Sequence, residues 1–201
     1  MLINSYLQTV KFLLNKTVIW PDDNLIDRFL IKDEKRHLVF EGAQGLLLDQ
    51  HRKEFMPFLT RSNTGLKNVF RILRTVKTEI DLNAYLVTRT YLTRHGDGPM
   101  MNEFNLPHQK IEEPSNPENI YQGKMRYGHL DEQWYYKAIE ETEKNQKYPH
   151  STGVAFTCVD QVNPIKIKSI SGPFIEDGSI KDFDNIKCIS SGITEKDIIE
   201  V

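Results

Sequence analysis

Six short stretches of this 201-residue chain place polar, charged and glycine residues at spacings that chemistry can use. The first is Val39-Phe40-Glu41-Gly42-Ala43-Gln44-Gly45-Leu46-Leu47-Leu48-Asp49. It reads as a short apolar strand entering a glycine turn with an acid and an amide, then a second apolar run ending in an acid. Glycine lets a backbone approach a ligand closely, and open α/β sheets hold ligands at polar turns just past buried strands. A plain strand and turn with Gln44 in solvent fits the same spacing. The second stretch, Thr60-Arg61-Ser62-Asn63-Thr64-Gly65, offers several donors and one fixed guanidinium, a set suited to phosphate. A surface turn capping the next helix would use the same residues. The third, Thr93-Arg94-His95-Gly96-Asp97-Gly98-Pro99, puts an arginine and a histidine at the mouth of another glycine turn, with Glu103 close behind. Such a pair binds an anion or shuttles a proton. The fourth runs from Tyr121 to Asp131 and holds Gly123, Lys124, Arg126, Gly128 and His129, the make-up of a mobile anion-binding loop. The fifth, residues 153–160, is a continuous apolar run ending in Asp160. That is the pattern of a buried parallel strand with a carboxylate at its C-terminal edge. The sixth is the turn Ser190-Ser191-Gly192.

Helices and strands must position these turns. Residues 1–15 carry apolar side chains at helical spacing and predict an amphipathic helix that packs into a core. Asp22 or Asp23 caps a second helix reaching about Lys35, followed by a strand at 37–40. A helix over 66–79 turns Val69, Phe70, Leu73 and Val76 to one face, and a strand runs from Tyr85 through Leu92. The prolines within 104–120 predict a loop. Asp131 caps a helix over 132–144 with Trp134, Tyr135, Ala138 and Ile139 on its apolar face. Short strands and turns fill 161–184, and a last strand spans 186–189. Strands alternating with helices predict an α/β fold, with a mostly parallel central sheet and flanking helices. The length predicts one domain, with a helical lead-in at 1–36 and a motif-bearing region at 37–201.

Composition narrows the function classes. The chain is 39% hydrophobic and 27% charged with a net charge of −2, so it lacks the basic footprint of a nucleic-acid binder. No apolar run approaches the roughly 20 residues of a membrane span, and Lys11 and Lys16 interrupt the only leader-like segment, so a cytoplasmic protein is expected. The two cysteines, Cys158 and Cys188, sit in apolar runs without C-x-x-C or histidine-rich spacing, which predicts core thiols and no metal site. No glycine precedes Gly42, and no G-x-x-x-x-G-K-[ST] phosphate loop follows it.

Taken in order, the six stretches resemble adenylosuccinate synthetase. The family's E-G-A-Q-G-x-x-L-D is matched by residues 41–49, and its T-S-S-N-T-T-like loop by 60–64. Its x-Y-x-T-R-x-G-x-G-P-x-x-x-E segment is matched by 90–103, and its arginine loop, G-R-x-R-R-x-G-x-L-D, by 123–131. The T-K-L-D strand end falls on 157–160 and the S-T-G turn on 190–192. The resemblance implies a P-loop NTPase-like adenylosuccinate synthetase fold lacking its N-terminal part. It implies a GTP-dependent C–N ligase of AMP biosynthesis that joins aspartate to IMP with Mg²⁺ through a 6-phosphoryl-IMP intermediate. Gln44 matches the catalytic glutamine at the 6-oxygen of IMP, where an amide steadies a developing oxyanion. Leu48, Thr60 and His95 match IMP-contacting positions, and Gly123, Lys124 and Arg126 the loop that closes on aspartate, with Arg126 the fork for its carboxylate. Asp160, Ser190, Ser191 and Gly192 match the guanine-facing positions of the GTP site.

The departures have consequences. The family's G-D-E-G-K-G phosphate loop, its catalytic aspartate and the Mg²⁺ ligands are absent from this sequence. The 123–128 loop is one residue short, and Cys158 stands where lysine is usual. Phosphoryl transfer depends on the cradle and the metal, so the chain alone is not expected to turn over. The implied partners are a purine nucleotide, aspartate, and either a separate N-terminal half or a second copy of the chain. A non-catalytic nucleotide-binding remnant and a deoxyguanylate-using variant are the alternatives. A chain beginning here is also expected to leave sheet edges and apolar faces uncovered.

Overall fold

The apolar spacing at the N-terminus does produce a helix, α1 (Leu2–Lys16), in a computed structural model of the chain. The structure describes residues 2–16, 37–74, 76, 80–104, 111, 116–144, 150–162, 165–169, 174–176, 180 and 183–201. The predicted helix after Asp22 and most of the proline-rich loop lie outside the described residues. Two compact units result, one of residues 1–40 and 71–80, the other of 41–70 and 81–201. In the first, α1 does not bury its stripe as expected: Leu7, Phe12 and Leu13 are each about half exposed or more. All six motif stretches, apart from the Val39-Phe40 lead-in to the first, belong to the second unit.

That second unit is α/β, as its alternating pattern predicted, and it carries two sheets. In the first sheet the order is β1-β5-β8-β9. β1 (Leu82–Arg89), β5 (His150–Thr157) and β8 (Ile186–Ser190) run parallel, and β9 (Ile198–Glu200) closes the edge antiparallel to β8. The apolar run is therefore, from 153 to 157, the buried central strand its composition predicted. A strand hydrogen-bonded on both sides and covered on both faces has no solvated side to mark with polar residues.

The second sheet is mixed. It joins β2 (Tyr91–His95), β4 (Met125–Asp131), β6 (Lys166–Lys168) and β7 (Phe174–Glu176), with β3 (Glu103–Phe104) beside β4. The strand expected to continue from Tyr85 through Leu92 instead breaks at Thr90, and the chain changes sheets there. Thr90 is buried, and its hydroxyl donates to the Cys158 carbonyl at 3.3 Å, pinning the crossover to the end of β5.

Two further helices are described beyond α1. α2 (Lys67–Leu73) is shorter than the 66–79 expected: the Val76 N–H already turns back to the Leu73 carbonyl at 3.0 Å. α3 (Glu132–Lys144) has the predicted bounds. Asp131 accepts the Trp134 N–H at 3.2 Å, which satisfies one of the donors a helix start leaves open. Glu132 in its first turn and Lys144 in its last complement the helix dipole. Tyr135, Ile139 and Thr142 recur at i, i+4 and i+7, and all three are buried.

This face meets the main core, which gathers Leu130, Tyr135, Ile139, Val154, Phe156 and Phe183. Phe156 has no exposed surface. It stacks on Tyr135 with ring centres 5.9 Å apart, and Phe183 meets Tyr135 edge-on at 4.5 Å. Burial pushes the Tyr135 phenol well above its usual range, and its hydroxyl donates to the Asp184 carbonyl. The two thiols are partly buried rather than central, and Cys158 takes a positive φ of 59° in the turn after β5.

Candidate functional site

The first stretch is built differently from its apolar spelling. Residues 37–45 form no strand, and Val39 is 88% exposed. An extended segment becomes a strand only when a neighbour takes up its backbone groups, and none does so here among the described residues. Gln44 is exposed at φ 69°, at the crest of the turn, and the leucines that follow make one 3₁₀ turn, Leu46–Leu48, half-buried.

Hydrogen bonds then tie this turn to the second stretch. The Thr60 N–H donates to the Leu48 carbonyl at 2.9 Å and the Gln50 N–H to the Ser62 carbonyl at 3.1 Å. The Asp49 carboxylate accepts the His51 N–H at 2.9 Å and the Thr64 N–H at 2.7 Å. Partial burial pushes the Asp49 acid up, but those backbone donors and the nearby His51 outweigh it and hold it below the usual carboxylate range. The 60–65 loop is therefore braced, with the Thr60 and Ser62 hydroxyls 3.3 Å apart. It also feeds α2, through the Asn68 amide on the Asn63 carbonyl at 3.2 Å.

The third and fourth stretches face each other across the β2–β4 ladder, where Arg94 pairs with Arg126 and His95 with Met125. The fourth was expected to be a mobile loop. Only its start is a turn: from Met125 to Asp131 it is strand β4, because Thr93-Arg94-His95 supplies a pairing edge. Arg126 does not point freely outward. Its Nε and Nη2 donate to the two Glu103 carboxylate oxygens at 2.9 and 2.6 Å, and its Nη1 donates to the Gly98 and Gly96 carbonyls at 2.7 and 3.3 Å. That pairing lowers the Glu103 acid and raises the Arg126 guanidinium. Arg94 donates from Nε to the Asp97 carbonyl at 2.8 Å and from Nη2 to the Phe58 carbonyl at 3.0 Å. Burial and the neighbouring Arg126 both push its guanidinium down.

His95 reaches the Gly123 carbonyl at 3.1 Å through Nε2, a contact that requires a proton on that nitrogen. Gly123 sits at φ 68° and closes a small hairpin with Asn119, whose side-chain oxygen accepts the Tyr121 and Gln122 N–H groups at 3.0 and 2.9 Å. Lys124 is 77% exposed, with Glu118 3.8 Å away.

The fifth and sixth stretches come together at the C-terminal edge of the parallel strands. The Val159 N–H donates to the Ser190 carbonyl at 3.3 Å, which sets the Asp160 turn beside the turn from Ser190 to Gly192. Asp160 and Ser191 are exposed, and the Ser190 hydroxyl donates to the Gly192 carbonyl at 3.1 Å. Nearby, the Tyr91 hydroxyl donates to Gln161 at 2.6 Å, and burial holds its phenol far above the usual range.

The predicted site residues thus gather in two groups. One ties Leu48 to Thr60 and His95 to Gly123, with Arg126 on the strand paired with that of His95 and Gln44 and Lys124 exposed on the adjoining turns; the other sets Asp160 beside Ser190, Ser191 and Gly192. Sequence reasoning missed two partners. Glu103 holds the Arg126 fork. Arg52 is buried, paired with Glu141 and Glu54, and lies 5.6 Å from the centre of the Trp134 ring. An acid at the end of the glycine-turn motif was a signal for the first; the second had none, since Glu141 is far along the chain.

Among the described residues no three histidine, cysteine or acidic side chains converge to hold a metal ion, and no helix is long and apolar enough to cross a membrane. A shallow hollow of about 520 Å³ runs along α3, lined by Tyr136, Lys137, Ile139 and Glu140. It is a helix flank, and none of its lining residues belongs to the six stretches.

Comparison with known proteins points to the same family. The family profile described as adenylosuccinate synthetase matches residues 3–173, reaching well into the N-terminal segment. Among curated proteins, the adenylosuccinate synthetase of Francisella philomiragia is 30% identical over 145 residues, covering 69% of this chain and 32% of that protein. That of Meyerozyma guilliermondii is 39% identical over 103 residues, 50% of this chain and 24% of the relative. The Francisella tularensis subsp. novicida enzyme is 31% identical over 140 residues, 67% and 31% respectively. The matched part spans about a third or less of these relatives. With a profile covering most of its length, this chain belongs to the adenylosuccinate synthetase family.

Proposed function

We propose that this chain supplies the IMP-, aspartate- and guanine-facing side of an adenylosuccinate synthetase, the ligation of aspartate to IMP driven by GTP in AMP biosynthesis. The observation that supports it is the cross-linking of the stretches matched to IMP and aspartate: Thr60 to Leu48 at 2.9 Å, Arg94 to Phe58 at 3.0 Å and His95 to Gly123 at 3.1 Å. These bonds tie together residues from Leu48 to Gly123.

On this reading the exposed Gln44 amide donates to the purine 6-oxygen as charge develops there. The Thr60 and Ser62 hydroxyls meet the nucleotide phosphate. The Lys124 ammonium meets the aspartate carboxylate, and the two oxygens of Asp160 accept guanine N–H groups. GTP with Mg²⁺ supplies the phosphoryl group and neutralises its charge when bound. Among the described residues no three histidine, cysteine or acidic side chains gather to hold Mg²⁺. The phosphate cradle would come from a separate polypeptide or further chain, and a cytoplasmic location goes with this reading.

A second reading is favoured by Arg126. Its fork is occupied by Glu103 and two carbonyls, which leaves one fixed cation fewer for a carboxylate substrate. A nucleotide-binding, non-catalytic member of the family follows from that.

Calorimetric titration of the purified chain with IMP and with GTP tests both. Weak binding of IMP is expected, abolished by Gln44→Ala with an unchanged circular dichroism spectrum. Binding of neither nucleotide refutes both readings. Adenylosuccinate formation on adding a phosphate-loop-bearing polypeptide selects the first.

A further inference from the structure

Two guanidinium groups stand at paired positions of one ladder, Arg94 on β2 and Arg126 on β4. Like charges so placed repel, and their persistence needs a compensating arrangement. Glu103 neutralises one. Backbone carbonyls take most of the remaining contacts: Gly96 and Gly98 for Arg126, Asp97 and Phe58 for Arg94. The glycine turn at 96–98 is thus clasped from both sides. It is also closely packed: a Cβ on Gly98 would lie 2.4 Å from Arg94 Nη2 and 2.7 Å from Phe58 Cβ. Two residues beyond Phe58, the Thr60 N–H holds the Leu48 carbonyl, and Leu48 in turn closes onto Gly45 at 2.9 Å.

We propose that Arg94 is a positioning residue: backed by the Glu103–Arg126 pair, it fixes the 57–60 segment to the 96–98 turn and thereby sets where Thr60 and the Gln44 turn stand. Arg94 itself faces carbonyls and is not offered to a ligand. Only a guanidinium fits this task, because Nε and Nη2 reach two different carbonyls from one rigid plane; a lysine ammonium is a single point charge on a flexible stem. The ligand side of this inference rests on the function proposed above, while its mechanical side does not.

Hydrogen–deuterium exchange on the full chain, comparing wild type with Arg94→Lys and Glu103→Gln, separates the two. In Arg94→Lys, peptides covering 45–50 and 57–64 should exchange about tenfold faster, the effect of losing two hydrogen bonds. Peptides from β5 and β8 should be unchanged. Glu103→Gln should give the same local pattern more weakly, since Arg94 remains. Uniform acceleration across the chain, or none at 57–64, overturns the proposal. For the ligand, Arg94→Lys should raise the IMP dissociation constant about tenfold and leave that for GTP unaltered, because Asp160 and Ser190 lie outside the clasp. Faster exchange with unaltered IMP affinity also overturns it. If wild type binds no IMP, the nucleotide reading fails, and the exchange pattern still decides the role of Arg94.

Discussion

Gly98 and Gly45 are spelled alike, as glycines in motif turns, yet replacing each with alanine should move stability in opposite directions. Gly98 has φ 108°, a conformation that costs a side-chain-bearing residue about 1–3 kcal/mol. The new methyl would also meet Phe58 Cβ at 2.7 Å and Arg94 Nη2 at 2.4 Å. Phe58 Cβ is one bond from the backbone and cannot swing away. The 57–60 segment must retreat by roughly 1 Å to regain ordinary contact, and the Arg94–Phe58 hydrogen bond, worth about 1 kcal/mol net, is lost with it. The sum is about 3 kcal/mol. It should lower a urea midpoint by roughly 1–2 M and the Tm by roughly 6–12 °C.

Gly45 has φ −86° and ψ 154°, and nothing lies within 4 Å of an added Cβ. Alanine there restricts the unfolded chain without straining the folded one, so a gain of about 0.4–1 kcal/mol is expected. Urea titration of both variants followed by far-ultraviolet circular dichroism gives the comparison. A Gly98→Ala protein within about 0.5 kcal/mol of wild type, the scatter of neutral surface changes, would refute the clasp geometry. A destabilised Gly45→Ala would instead contradict the open space around that residue.

Phe156→Ala should cost about 4 kcal/mol and lower the Tm by roughly 8–16 °C, since the ring is fully buried between Tyr135 and Phe183; a loss below about 2 kcal/mol in urea melts would contradict that packing. Asp49→Asn tests the carboxylate brace. The folded acid is held below its unfolded value, so its stabilisation is present above about pH 4 and is lost as pH falls through the folded pKa. Wild type should therefore exceed the variant by about 1 kcal/mol at pH 7, with the gap closing below pH 4; a gap that widens in acid would reverse the argument. Tyr85 and Val87 are 58% and 69% exposed on β1, the outer strand of its sheet among the described residues, so the wild-type chain should self-associate as its concentration rises. Tyr85→Lys with Val87→Lys should shift sedimentation-velocity profiles toward monomer, and an unchanged distribution would clear that edge of blame.

Features that depend on neighbours in sequence were legible without the fold. The ends of α3 could be read because a capping aspartate and the apolar residues Trp134, Tyr135, Ala138 and Ile139 at helical spacing are local signals. The burial of β5 could be read because a strand covered on both faces needs no polar alternation. The family could be read because its turns recur in order at fixed spacings. What the tertiary structure decided is where each polar group and each extended segment finds its partner. The apolar run at 37–40 is spelled like a strand and is not one, since a ladder requires an edge that its own residues cannot provide. The run from Tyr85 to Leu92 is spelled as one strand and is two, because buried Thr90 is claimed by the Cys158 carbonyl. Arg126 is spelled like a substrate fork, but Glu103, 23 residues away, holds it, and Arg52 is bound by Glu141, 89 residues away. Periodicity reports which face a residue shares, whereas a charge's partner depends on how distant segments are brought together, and that only the folded chain determines.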